Sequence, residues 1–193
     1  FDHYISLLYV LTIVAVVFTS YFTFKEVIDS YHKRQREALI PLFSMVNSEI
    51  IRPLNVAHFI ANDHFLIDYV KQDSVDPAVL LNYLERLSTS FNMLSFIAIE
   101  KHGYTIESTG KTVSLKHDTA EWFQRLKALS GDHFVDIGNV NDPHLYFDIK
   151  VRDSNNTFYG FAGVAIDLNH FADRFAYYRQ QFGFDIIFTD KNG

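Results

Sequence analysis

The chain has 193 residues, 48% hydrophobic and 16% aromatic, enough to bury one medium-sized core. Its formal charge of -6 argues against a nucleic-acid binder, because neutralising phosphates needs a basic stripe. Cysteine is absent, which removes disulfides, thiolate metal sites and cysteine nucleophiles together.

Residues 4–24, "YISLLYVLTIVAVVFTSYFTF", contain no charge, Gly or Pro. A helix of that length crosses a hydrocarbon layer of ~30 Å. Tyr4, Tyr9 and Tyr21 suit the interfaces, and Asp2 and Lys25 bracket the run. The run is long for a signal peptide and no small-x-small cleavage site follows, so 4–24 is predicted to be an uncleaved transmembrane helix. A cleaved signal and a buried soluble helix are the competing readings. Lys25, Lys33, Arg34 and Arg36 follow, mixed with Glu26, Asp29 and Glu37. Counted naively they put this side in the cytoplasm, but Phe1 is not an initiator methionine, and charge leaves the topology open.

Residues 25–90 are predicted as a helical stalk followed by helices that pack on a sheet. Ile28, Tyr31, Gln35, Leu39, Leu42, Val46 and Ile50 form one stripe at helical spacing, with Pro41 and Pro53 expected to kink the helix or mark joins. Such a stripe suits packing on a sheet or on a second copy of itself. "ANDHFLIDYV" and "VDPAVLLNYLERLSTSF" read as two shorter helices, the second capped by Asp76 with Pro77 in its first turn.

Residues 91–182 change period. "MLSFIAIE" and "YTIEST" flank "KHG" as a hairpin. "DTAEWFQRLKAL" (118–129) is a short helix capped by Asp118 or Thr119. The strands "HFVDIGNV", "LYFDIKVRD" and "TFYGFAGVAID" follow, and "LNHFADRFAYYRQQF" is a closing helix. The class is therefore α+β, with about five antiparallel strands under long helices. At 183–193, "FDIIFT" is one more strand, and "TDKNG" looks like a hairpin turn whose second strand would follow.

Catalytic chemistry finds little support. The nine histidines include no pair at the spacing that binds zinc from one helix. No phosphate-binding glycine loop, nucleophile elbow or distinctive acidic pair is present, so neither a metal nor a cofactor is expected. The strands at 146–168 are more informative. Alternation puts Tyr146, Asp148, Lys150 and Arg152 on one face. In the next strand it groups Tyr159, Phe161, Gly163, Ala165 and Asp167 against Phe158, Gly160, Ala162, Val164 and Ile166. Small residues beside Tyr146 and Asp148 leave room above the sheet, which Asp167 could close with an acceptor. The alternative is a solvated face with a carboxylate at its edge.

A membrane helix, a helical stalk, "EWF" at 121–123 and "FAGVAIDL" at 161–168 together resemble the extracytoplasmic Cache (PDC-like) sensory domains, whose sheet is PAS-like. The resemblance covers about residues 25–193. It implies that Trp122, Phe123 and Asp167 line a ligand pocket, the acid contacting an amine. Amino-acid-binding members carry an Arg two residues before the Trp; here Ala120 stands there, and Arg125 is the candidate substitute. The resemblance also implies a bacterial inner-membrane protein with residues 25–193 in the periplasm and 183–193 opening a second module. The segment would be a sensory input, not an enzyme, with a diguanylate cyclase, histidine kinase or chemoreceptor output. Its partners would be a small-molecule ligand, the membrane and a second copy paired through the stalk. An interaction module that binds a periplasmic protein through a flat, filled sheet face is the rival.

Overall fold

A computed structural model describes residues 2–115, 120–138, 141 and 143–183. It divides into two compact units, Phe1–Ser44 and Met45–Gly193. The described residues of the first are helical, within α1 (Asp2–Val46). Its side chains from Leu11 to Phe24 are exposed among the described residues, Leu11, Ile13, Val17, Phe18 and Phe22 included. It is long and apolar enough to cross a membrane. Further along, Ile28, Tyr31 and Leu39 of the predicted stripe are exposed as well.

In the second unit a π-helical turn, Asn47–Ile51, precedes α2 (Arg52–Ala61), where Pro53 sits at the second position. Proline has no N–H and crowds the carbonyl four residues back, so it belongs at this boundary. Then come α3 (His64–Val70), capped by Asp63, and α4 (Pro77–Phe91), capped by Asp76, whose carboxylate accepts from the Ala78 N–H at 2.9 Å. The left-handed Asn92 ends α4.

Six antiparallel strands follow, β1 (Leu94–Ile99), β2 (Tyr104–Glu107), β3 (Thr112–Ser114), β4 (His133–Ile137), β5 (His144–Arg152) and β6 (Phe158–Asp167). They lie in the order β3-β2-β1-β6-β5-β4. The sixth strand beyond the expected count is β3, whose three residues are too short to show a period. Helix α5 (Glu121–Ala128) lies between β3 and β4 in the chain, and α6 (Leu168–Phe182) follows β6. The observed N-cap of α5 is Ala120, with no side-chain cap bond; Asp118 and Thr119 lie outside the described residues, as does the strand read at "FDIIFT".

Both faces of the sheet are covered. On one, Val56, Ala57, Ile60, Leu66, Leu80 and Leu84 of α2–α4 pack on Ile97, Ile99, Phe147, Ile149, Val151, Ala162 and Val164. On the other, Phe123 and Leu126 of α5 pack on Ala98 and Phe161, with Trp122, Phe134 and Phe158 beside them. The predicted alternation in β6 fails at its start. Val151 pairs with Gly160 but Arg152 pairs with Phe158, so Tyr159 is an extra residue in a bulge. Phe158 consequently joins Phe161 under α5, while Tyr159 packs against the opposite core. Gly160 has a φ of 153°, and a Cβ there would lie 1.9 Å from the Ala98 carbonyl oxygen. Gly160→Ala is therefore expected to cost ~2 kcal/mol or more, read as a Tm lower by ~5 °C or more in thermal unfolding.

Candidate functional site

The α5 face holds a cavity of about 560 Å³. Sheet register explains where it opens. Glu107 lies opposite Phe96, Phe96 opposite Gly163, Gly163 opposite Asp148, and Asp148 opposite Phe134. These five residues form one row across the sheet and share a face. Gly163 is the low point of that row. A Cβ there would meet the Phe147 carbonyl oxygen at 1.9 Å and the Phe96 ring at 3.1 Å. The Phe96 ring thus leans over Gly163, and it meets Tyr146 edge-on at 5.6 Å. In the neighbouring row Ala165 lies opposite Tyr146, and Tyr146 opposite Asp136.

Helix α5 forms the wall. Its Phe123 and Leu126 are buried against the sheet, with the Phe123 and Phe161 rings 5.3 Å apart. Its C-terminal end is tied down by Lys150, a buried lysine whose Nζ donates to the Leu129 carbonyl at 2.5 Å and the Lys127 carbonyl at 3.3 Å. A cation at the end where helix carbonyls lack partners is favourable. Lys127 also pairs with Glu100. Anchored in this way, α5 presents Trp122 and Arg125 to the cavity.

The charges are arranged in a pattern. Arg125 Nη2 donates to Asp136 Oδ2 at 2.5 Å, and the other Asp136 oxygen accepts from the Ile137 N–H at 3.1 Å. Lys111 pairs with Glu107 at 3.3 Å, and Glu107 also accepts from the Thr109 hydroxyl at 3.2 Å. Asp148 differs from both. It is 2% exposed, and its Oδ2 has no hydrogen-bond partner among the described residues. Burial, with the Asp136 charge adding to it and Arg125 opposing, pushes its carboxyl up to about 7. Asp148 is thus a buried, unpartnered acceptor among the residues that line the cavity.

The structure brings four of the six sequence candidates to this cavity: Trp122, Arg125, Tyr146 and Asp148. Phe123 lies beneath it, in the core. Asp167 lies elsewhere. It is exposed, caps α6 by accepting from the Asn169 N–H at 2.7 Å, and borders a different depression with Glu49 and Arg174. The carboxylate that ends β6 is there to start a helix. Phe96, Glu107, Lys111 and Asp136 were missed. Glu107 and Asp136 stand in strands whose alternation was readable, but which strands lie beside β5 and β1 was not.

The raised carboxyl of Asp148 sets a pH dependence. Between about 4 and about 7 the folded chain holds a proton that the unfolded chain, with an ordinary value of 3.8, releases. Stability from this group therefore falls as pH rises through that window. Asp136 and Arg125 are the charges that act on it, and Glu107, Glu121 and Lys111 line the same cavity. Asp148→Asn removes the titration. The variant is expected to be more stable than the unmutated chain at pH 8, with the advantage vanishing toward pH 4, as measured by Tm against pH for both.

No protein-family model and no curated protein matches the sequence. Solved structures do. The sensory domain of the Campylobacter jejuni chemoreceptor Tlp3 with isoleucine bound matches at 15% identity and a TM-score of 0.50, over 78% of this chain and 63% of that one. A second structure of the Tlp3 sensory domain matches at 14% identity and a TM-score of 0.50, over 79% of this chain and 65% of that one. The Escherichia coli DcuS sensor domain has 15% identity and a TM-score of 0.49, over 70% of this chain and 97% of that one. The chain thus spans a little under two thirds of the Tlp3 sensory domain's length. In fold the chain is similar to the Tlp3 sensory domain, with helices on both faces of an antiparallel sheet and a long N-terminal helix before it in the chain, the arrangement expected from the PDC/Cache resemblance.

Proposed function

We propose that this chain is the ligand-sensing input segment of a bacterial membrane-bound signalling protein, with a small molecule held in the cavity under α5. The observation that carries the reading is the cavity itself. Its volume suits a metabolite-sized ligand, its lining joins Trp122 and Tyr146 to a buried carboxylate with no partner, and its fold is that of a domain that holds isoleucine in Tlp3. The rival interaction module expects a flat, filled face, and the cavity favours the ligand reading. The exposed apolar helix supports an inner-membrane anchor, and the likeness to bacterial sensory domains supports the periplasmic side for 25–193. The output, a diguanylate cyclase or else a histidine kinase or chemoreceptor, is selected by no residue of this chain.

Trp122 is the one tryptophan in the sequence, so its emission reports the cavity directly. The chain in detergent micelles would be titrated with small amines, amino acids, carboxylates and nucleobases. At least one class is expected to change Trp122 emission saturably and to raise Tm, by the equivalent of ~2.7 kcal/mol at 100 times its Kd. Silence across the library would leave the protein-partner reading in its place.

Pairing of two chains through the stalk belongs to the same proposal, supported by the exposed Ile28, Tyr31 and Leu39 on one stripe. Lys33 and Glu37 occupy the opposite face and pair with each other at 3.9 Å. The chain has no cysteine, so single substitutions are clean probes. Disulfide cross-linking in membranes is expected from Tyr31→Cys and Leu39→Cys, and not from Lys33→Cys or Glu37→Cys.

A further inference from the structure

We propose that the cavity selects a monoamine without a carboxylate: an ammonium group carried on an apolar body. The inference rests on the ligand reading above and narrows it to one chemical class. It follows from which charges at the lining are already engaged. Among the described residues those charges are Glu107, Lys111, Glu121, Arg125, Asp136 and Asp148. Both cations are committed, Arg125 to Asp136 and Lys111 to Glu107. Asp136 has both oxygens occupied, and Glu121 is exposed to water. That leaves Asp148, nine-tenths and more buried, with an oxygen that accepts from nothing described.

An ammonium at Asp148 supplies both the missing donor and the missing charge. Phe96, Val113, Leu115, Trp122 and Tyr146 surround the rest of the ligand with apolar and aromatic surface, which also suits a cation near ring faces. A ligand carboxylate has the opposite fate. It would enter a lining that holds four acids, and it could take Arg125 only by stripping it from Asp136. An α-amino acid would satisfy Asp148 with one end and break an ion pair with the other.

Two matched sets of probes test this, each with one apolar body: isoamylamine, L-leucine and 4-methylpentanoate; 2-phenylethylamine, L-phenylalanine and 3-phenylpropionate. Kd values would be read from Trp122 emission of the chain in micelles at pH 8. The amines are expected to bind at least ten-fold more tightly than their amino acids, and the acids not to bind. Asp148→Asn should weaken the amines at least ten-fold. Asp136→Asn frees Arg125 and should narrow the preference for isoamylamine over L-leucine at least three-fold, an effect that loss of packing would not produce. Amino acids or acids that bind as tightly as the amines would overturn the inference, as would amine binding indifferent to Asp148→Asn. If the amines fail while another class in the wider library binds, this inference falls and the ligand reading stands. Silence from everything removes both.

Discussion

An antiparallel sheet covered on both faces needs enough helix on each, and this one is unequally supplied. Six strands at ~4.8 Å spacing are about 24 Å wide, whereas the eight residues of α5 span only ~12 Å. The opposite face is served by α2, α3 and α4, and its core is continuous from Val56 to Leu84. Among the described elements α5 stands on the other face over Ala98 and Phe161, and the sheet beyond it toward Phe96 and Tyr146 is left open. Among the described residues the cavity lies where this cover stops, and Gly163 deepens it in the row it shares with Phe96 and Asp148.

That unequal cover fixes the electrostatics. A carboxylate on an open strand face is solvated and inexpensive, but Asp148 sits under a wall and is 2% exposed. Its neighbours on the same face settle their own charges, Asp136 with Arg125 and Glu107 with Lys111. Burying a carboxylate without a partner is costly, and the protein meets that cost by holding the carboxyl near neutrality. Asp148 is therefore left with an oxygen that accepts no hydrogen bond from the described residues. Lys150, two residues along the same face, shows the contrasting solution, a buried charge satisfied by the carbonyls at the end of α5.

The joints around the cavity depend on single positions. The Gly160 bulge turns Phe158 toward α5 and Tyr159 away from it, so the aromatic cluster of Phe123, Phe158 and Phe161 exists only because the strand gains a residue. Local alternation cannot foresee that, since a bulge is a failure of the period. Asp167 is a similar case. At the end of a strand a carboxylate serves equally for a ligand or for a helix cap, and the chain's turn into α6 decides for the cap.

Local rules were enough for the apolar helix, the Asp76 cap, the strands' faces along β5, and the placing of Tyr146 and Asp148 near room above a sheet, whereas Trp122 was placed only through the family resemblance. The former follow from periods and capping chemistry, which act over a few residues. Which strands are neighbours, and so which charges meet, is settled by the folding of the whole sheet. Glu107 is 41 positions from Asp148 in the chain, and Asp136 is 12. Their presence at one cavity depends on β2 and β4 taking their places on either side of β1, β6 and β5. Pairing partners far apart in sequence are chosen by the burial of the whole sheet, and no window of residues contains that information.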